Sequence, residues 1–243
     1  MLLLLSFSIA LSVGLSIIVA VVRRARHKPV VLAARAPAPS SCPYEHSCIY
    51  RRPGCWLAIK SRNLTTVQTA LGLHNPKPCS WTEGLEEELF IAPVVKGWVL
   101  VMGSGLPDPS HDVDACFRFL VEVSRKLGQV QFFSASRVLL HHAWVKAHKG
   151  KVLRAYAWAG KTLWKQGAPT TAERELGLKC FDYFEPAERA LFGQPDVVSL
   201  NVDKVPLLAA RWSLDPARID EHLLENARGV AGERRDDIEQ AGD

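Results

Sequence analysis

Several catalytic signatures are missing from this chain of 243 residues. No serine is framed as G-x-S-x-G, which removes the nucleophile elbow of α/β hydrolases. No glycine loop carries a Walker lysine, and none runs as G-x-G-x-x-G directly into a helix, which removes the P-loop and the dinucleotide fingerprint. No internal repeat is present. Concentrated basic charge is also lacking beyond the first segment. Of the formal +5, Arg23, Arg24, Arg26 and Lys28 supply four, and the rest of the chain carries one. A nucleic-acid surface needs a basic patch, so nucleic acid is not an expected partner.

What is present begins with Leu2–Val22, 21 residues without a charge. At about 1.5 Å per residue such a helix spans about 31 Å, the hydrocarbon core of a bilayer. A cleaved signal peptide would place basic residues before a shorter apolar core and a small-residue site after it. Here "RRARHK" comes after the core instead, so the segment reads as an uncleaved single-pass anchor in contact with the lipid bilayer. The basic flank on its C-terminal side favours a cytoplasmic location for the remainder of the chain; export is the alternative.

Residues 1–28 are thus an anchor with its basic flank, and 29–53 a linker rich in Ala, Pro and Ser. A single α+β domain is expected over 54–228, with a flexible polar tail at 229–243. Within the domain, "CWLAIKS" reads as a strand with Cys55, Leu57 and Ile59 on one face. Asn63 caps a short helix that ends near Gly72. "ELFIAPVV" and "WVLVMG" flank a hairpin turn at Lys96-Gly97. Residues 110–128 form the best amphipathic helix, started by Ser110 or Asp112 and closed at Gly128. "QVQFFSAS" is the next strand, which completes a β-α-β-β-α-β order in an antiparallel or mixed sheet. A three-strand meander comes next, "HHAWVKAH", "KVLRAYAW" and "KTLWKQ", joined by tight turns at Lys149-Gly150 and Ala159-Gly160. Thr170 and Glu173 stand at capping-box spacing. Asp215 and Pro216 open the second of two C-terminal helices.

Candidate chemistry is sparse. "SCPYEHSCIYRRPGCW" reads C-x3-H-x-C-x6-C, and its cysteine gaps do not fit a structural zinc site. Zinc through Cys42, His46 and Cys48 is a minor alternative, and disulfides would need an oxidising compartment. No cofactor is expected. Gly103, Ser104 and Gly105 lie between a strand and the long helix, where backbone N–H groups can cradle phosphate, but Asp108, Asp112 and Asp114 would repel it. His111-Asp112 is the only hint of a metal phosphohydrolase. "LAARWSLDPARIDEHL" could pass for a helix-turn-helix, but Asp215, Asp220 and Glu221 argue for a packing hairpin. If both meander turns hold two residues, Trp144, Ala155 and Trp164 share one face. Trp158 then lies on the other face beside Arg154, as an exposed aromatic. These four, Trp144, Trp158, Trp164 and Arg154, are the expected partner-binding residues.

The segments "GWVLV" at Gly97–Val101, "FFSASRV" at Phe132–Val138 and "KGKVLRAYAW" at Lys149–Trp158 resemble bacterial immunity-type and related uncharacterised α+β domains. That resemblance implies a protein partner and no catalytic residues. The expected function is a membrane-anchored, non-catalytic protein-binding module of a bacterial cell, immunity-like or accessory. The alternative is a membrane-tethered enzyme acting on a small phosphorylated or metal-bound substrate, with Gly103, Ser104, Gly105, His111 and Asp112 at its site.

Overall fold

A strand buried on both faces cannot alternate polar and apolar residues, and "CWLAI" does not alternate. It forms β1 (Cys55–Ile59), near the middle of a nine-stranded sheet. The computed structural model describes residues 53–184, 197–219 and 227–234, all within one compact unit. The chain continues through α1 (Leu64–Leu71), β2 (Leu73–Cys79), α2 (Trp81–Gly84), β3 (Leu89–Ile91), β4 (Val99–Met102) and α3 (Val113–Leu127). Next come β5 (Gln129–Ser136), β6 (His141–His148), β7 (Lys151–Trp158), β8 (Thr162–Gln166), α4 (Thr171–Glu175), α5 (Val197–Trp212), a 3₁₀ turn at Pro216–Arg218, and β9 (Gly229–Arg234). The sheet order is β2-β9-β3-β4-β1-β5-β6-β7-β8, and every paired neighbour is antiparallel. The fold is α+β, with few helices on a large antiparallel sheet. The anchor Leu2–Val22, its linker, and Cys42, His46 and Cys48 lie outside the described residues. Among the described residues no helix is long and apolar enough to cross a membrane.

Two apolar layers sandwich the sheet. On one face, Val67 and Leu71 of α1 and Cys116, Leu120 and Val123 of α3 pack on Leu57, Ile59, Val101, Phe132 and Val145. On the other, Val198, Val205, Leu208 and Ala209 of α5 pack with Trp56, Phe133, Trp144 and Tyr156. Trp56 stacks on Phe133 with ring centroids 5.3 Å apart. The helix starts reflect local chemistry. Asn63 accepts from the Thr66 N–H at 3.2 Å, and Asp112 from the Ala115 N–H at 2.9 Å. Each satisfies an N–H that the helix itself leaves unpaired.

Two strands depart from the expected β-α-β-β-α-β order. "LHNPKPC" forms β2 despite Pro76 and Pro78, because it is an edge strand, where a missing N–H faces outward. Gly229–Arg234, expected within a flexible tail, is β9 and pairs with β2 and β3 in the sheet. Its small residues are the reason. A Cβ on Gly229 would meet the Phe90 ring at 2.3 Å and the Ile91 carbonyl oxygen at 2.5 Å, and Ala231 is fully buried. The domain therefore extends past 228. Replacing Ala231 by Asp buries an unpaired carboxylate and should cost several kcal/mol, read as a clear fall in unfolding midpoint; an unchanged midpoint would return 229–234 to the tail.

Candidate functional site

The conspicuous aromatic residues are positioned by one inserted residue. Lys149 and Gly150, both with positive φ (48° and 78°), make the tight turn that pairs His148 with Lys151 and Ala147 with Val152. The next pair is Lys146 with Arg154, so Leu153 is bulged out of the ladder and stands 53% exposed. From there the register is displaced by one, and Trp144 faces Tyr156 rather than Ala155. A second irregularity near Trp158 sets Trp164 opposite Ala157. The expected row of Trp144, Ala155 and Trp164 therefore does not form. Trp144, Tyr156 and Trp158 share one core layer, while Trp164 belongs to the other and meets Phe117 edge-on at 5.7 Å. Trp144, Trp158 (3% exposed), Trp164 and Arg154 are all buried. None of the four offers a surface to a partner, which corrects the expectation that they bind one.

The shift also turns Arg154 inward. Its Nε donates to Glu173 Oε1 and Oε2 at 2.9 and 3.2 Å, and Nη2 lies 2.7 Å from Oε1. Nη1 donates to the carbonyls of Ala155, Gln166 and Gly167 at 2.8, 3.1 and 3.2 Å, and Nη2 approaches Cys180 Sγ at 3.1 Å. Glu173 also accepts from Trp144 Nε1 at 2.7 Å and closes the capping box of α4 through the Thr170 N–H, also at 2.7 Å. Burial pushes the Glu173 carboxyl upward, but the Arg154 hydrogen bonds and charge and the Thr170 N–H hold it below its ordinary value. The carboxylate is ionised and saturated.

Around this pair the strand face is closed by further polar contacts. The Tyr156 hydroxyl accepts from the Phe181 N–H at 3.1 Å, and burial pushes its own ionisation up to about 12. Asn201 takes the Lys179 N–H at 3.1 Å and donates to the Lys179 carbonyl at 2.7 Å, which fixes its amide orientation. The remaining amide hydrogen points to His142 Nε2 at 3.3 Å, so the ring is neutral with its proton on Nδ1. His142 stacks on Trp144 with centroids 5.7 Å apart.

Solvent-facing chemistry lies at the end of the sheet where β1 begins. A groove of about 520 Å³ is lined there by Pro53, Cys55, Leu85, Glu86, Met102, Asp108 and Leu139, among others. The β5–β6 loop forms one side and exposes three consecutive aliphatic side chains, Val138 (92%), Leu139 (61%) and Leu140 (38%). The Leu139 N–H donates to Ser136 Oγ at 3.2 Å, and Arg137 pairs with Asp203 at 2.8 Å, which ties the loop to the strand end and to α5. Burial, then Asp108 and Cys116, push the Cys55 thiol well above its ordinary value, so it is a poor nucleophile.

The glycine loop borders this groove but is not arranged as an anion cradle. The Gly105 N–H is donated to the Glu88 carbonyl at 2.9 Å, and a Cβ on Gly103 would lie 2.1 Å from that same oxygen. These glycines permit close backbone packing. The His111 and Asp112 N–H groups both go to the Asp108 carbonyl, and the Asp112 carboxylate occupies the helix start. Among the described residues no three His, Cys, Asp or Glu side chains gather as metal ligands would. The exposed loop at 138–140 is hard to find in the sequence because "RVLL" reads as a strand continuing; its position between paired strands is the signal that betrays it.

No family model, no curated protein and no solved structure matches this chain. Functional inference therefore rests on geometry.

Burial lowers the His142 pKa from 6.5 to about 3. The unfolded chain thus binds a proton that the folded chain refuses. The stability this preserves is complete above pH 6.5 and is lost as pH falls toward 3, by at most about 1.4 kcal/mol per pH unit. Denaturant unfolding between pH 7 and 4.5 should show this slope, and His142→Gln should flatten it; an equal slope in the variant assigns the loss to other groups.

Proposed function

We propose that the chain is a membrane-anchored, non-catalytic protein-binding module, immunity-like or accessory in role, tethered by Leu2–Val22 with its domain in the cytoplasm. The partner docks on the groove beside the β5–β6 loop. The observation that carries this reading is the run of three exposed aliphatic side chains, Val138, Leu139 and Leu140, on the loop whose Leu139 lines that groove. Contiguous exposed apolar surface costs solubility and marks interaction sites in soluble domains. The groove, about 520 Å³ in volume, is a concavity into which a partner can set apolar side chains. Its mixed lining supports the reading as well, with Leu85 and Leu139 for apolar contact and Glu86 and Asp108 for polar contact.

The test is site-specific photo-crosslinking in cells that make the full chain. A crosslinker at residue 139 should yield one discrete protein adduct in the membrane fraction, and one at Leu153, which is also exposed, should not. Val138→Asp should reduce the adduct at least tenfold without altering the melting temperature. Equal adducts from both positions, or none from 139, would remove the groove as a docking site. Recovery of the full chain in the soluble fraction would remove the anchor instead.

A further inference from the structure

The small net charge conceals a segregation. Residues 83–88 and 103–114 contain seven Asp and Glu and no Lys or Arg, and they lie at the groove end of the sheet, where Phe90 pairs with Met102 and Trp56 with Met102. The opposite end is assembled from four segments distant in sequence: 60–63 after β1, 96–97 in the β3–β4 turn, 125–129 where α3 meets β5, and 146–151 around the β6–β7 turn. Together they hold eight Lys and Arg and no Asp or Glu.

Strand pairing makes one surface of them. The Lys60 N–H donates to the Gln129 carbonyl, and the Lys149 N–H to the Gly128 carbonyl, each at 3.0 Å. A Cβ on Gly97 would lie 3.6 Å from Lys60 Nζ and 3.9 Å from Arg62 Nε, and one on Gly150 would touch the Arg125 side chain at 3.4 Å. Seven of the eight cations are exposed, Lys146 being half-buried. One ion pair serves them among the described residues, Lys126 with Glu122 at 2.7 Å. The dipole of α3 accounts for Arg125 and Lys126 at its C-terminus. It does not account for Lys60, Arg62, Lys96, Lys149 or Lys151, which lie on strands and turns.

We infer that this basic end is a docking surface for the phosphate backbone of a nucleic acid, engaged without regard to base sequence. The cations track the ends of β4, β1, β5, β6 and β7. At about 4.8 Å per strand this is a row about 19 Å long, which suits a linear polyanion. Beside it, a second groove of about 510 Å³ is lined by Thr65, Thr66 and Lys126 together with the apolar Ala70 and Leu127, among others, and hydroxyl and ammonium groups are usual partners of phosphate oxygens. The composition disfavours a protein partner at this end. Protein interfaces are depleted in Lys and rely on aromatic anchors. Here six of the eight cations are Lys, and the neighbouring rings, Trp98 and Trp212, lie under Lys60 and Lys146 at 4.8 and 5.4 Å. Covered rings also leave no platform for base stacking, so the contact reads charge alone. The inference is independent of the apolar groove and of the anchor.

The experiment uses the full chain in phosphatidylcholine nanodiscs and a fluorescein-labelled DNA duplex of about 20 base pairs. Fluorescence anisotropy should show binding at 50 mM salt that weakens about 10²–10³-fold by 200 mM, the slope for four to six displaced counterions. Lys149→Gln with Lys151→Gln should weaken binding about tenfold and lower the slope by about two. Asp114→Asn, at the other end and outside the apolar groove, should not weaken it. No binding at 50 mM salt, or an unchanged slope in the lysine variant, would overturn the inference. So would stronger competition by poly-glutamate or by phosphatidylserine vesicles than by unlabelled duplex, which would reassign the surface to an acidic protein or to lipid.

Discussion

The architecture depends on one buried ion pair. Arg154 and Glu173 are 2% and 1% exposed, and such a pair is tolerated only when its other donors and acceptors are also satisfied. Here they are. The guanidinium ties β7 to the end of β8 through the carbonyls of Gln166 and Gly167, and the carboxylate ties α4 to Trp144 on β6. The bulge at Leu153 belongs to the same device. Without it Arg154 would face the aliphatic layer of Leu57, Phe132 and Val145 beneath α3, with no anion to meet it. The bulge and the pair therefore require each other. A pair of this kind adds little net stability over an apolar substitute; its effect is to make one register much better than its neighbour.

That register sets the remaining organisation. With Trp144, Tyr156 and Trp158 turned inward, residues 170–182 lie over them and hydrogen-bond back through Phe181 and Asn201. The aromatic and charged residues that attract notice in the sequence are thereby internal. Chemistry available to solvent moves to the loops at the two ends of the sheet, one apolar and acidic, the other basic.

Local signals in the sequence were reliable where the physics is local. Asn63 and Thr170 cap the helices expected of them, Asp112 rather than Ser110 caps the long one, and Asp215 caps a 3₁₀ turn where a helix was expected, because a cap needs only the next three residues. The α+β class was legible for the same reason. The register was not, since Leu153 looks like any apolar residue in "KVLRAYAW" and its displacement reflects a partner nineteen residues beyond Arg154. Glu173 was visible only as a capping residue, although its second role is the larger one. β2 was hidden by its prolines and β9 by its glycines, and both are explained by where they lie in the sheet. The basic end could not be seen as a run, because four separate segments build it.

The most direct measurement is a double-mutant cycle on Arg154→Met and Glu173→Leu, read by denaturant unfolding. Each single change leaves a buried charge unpaired and should cost about 3–5 kcal/mol. The double variant should recover part of that loss, the Trp144 Nε1–H and Thr170 N–H remaining without their acceptor, so that the coupling is at least about 2 kcal/mol, above the usual error of additivity. Additive losses, or singles near zero, would contradict the dependence of the fold on this pair.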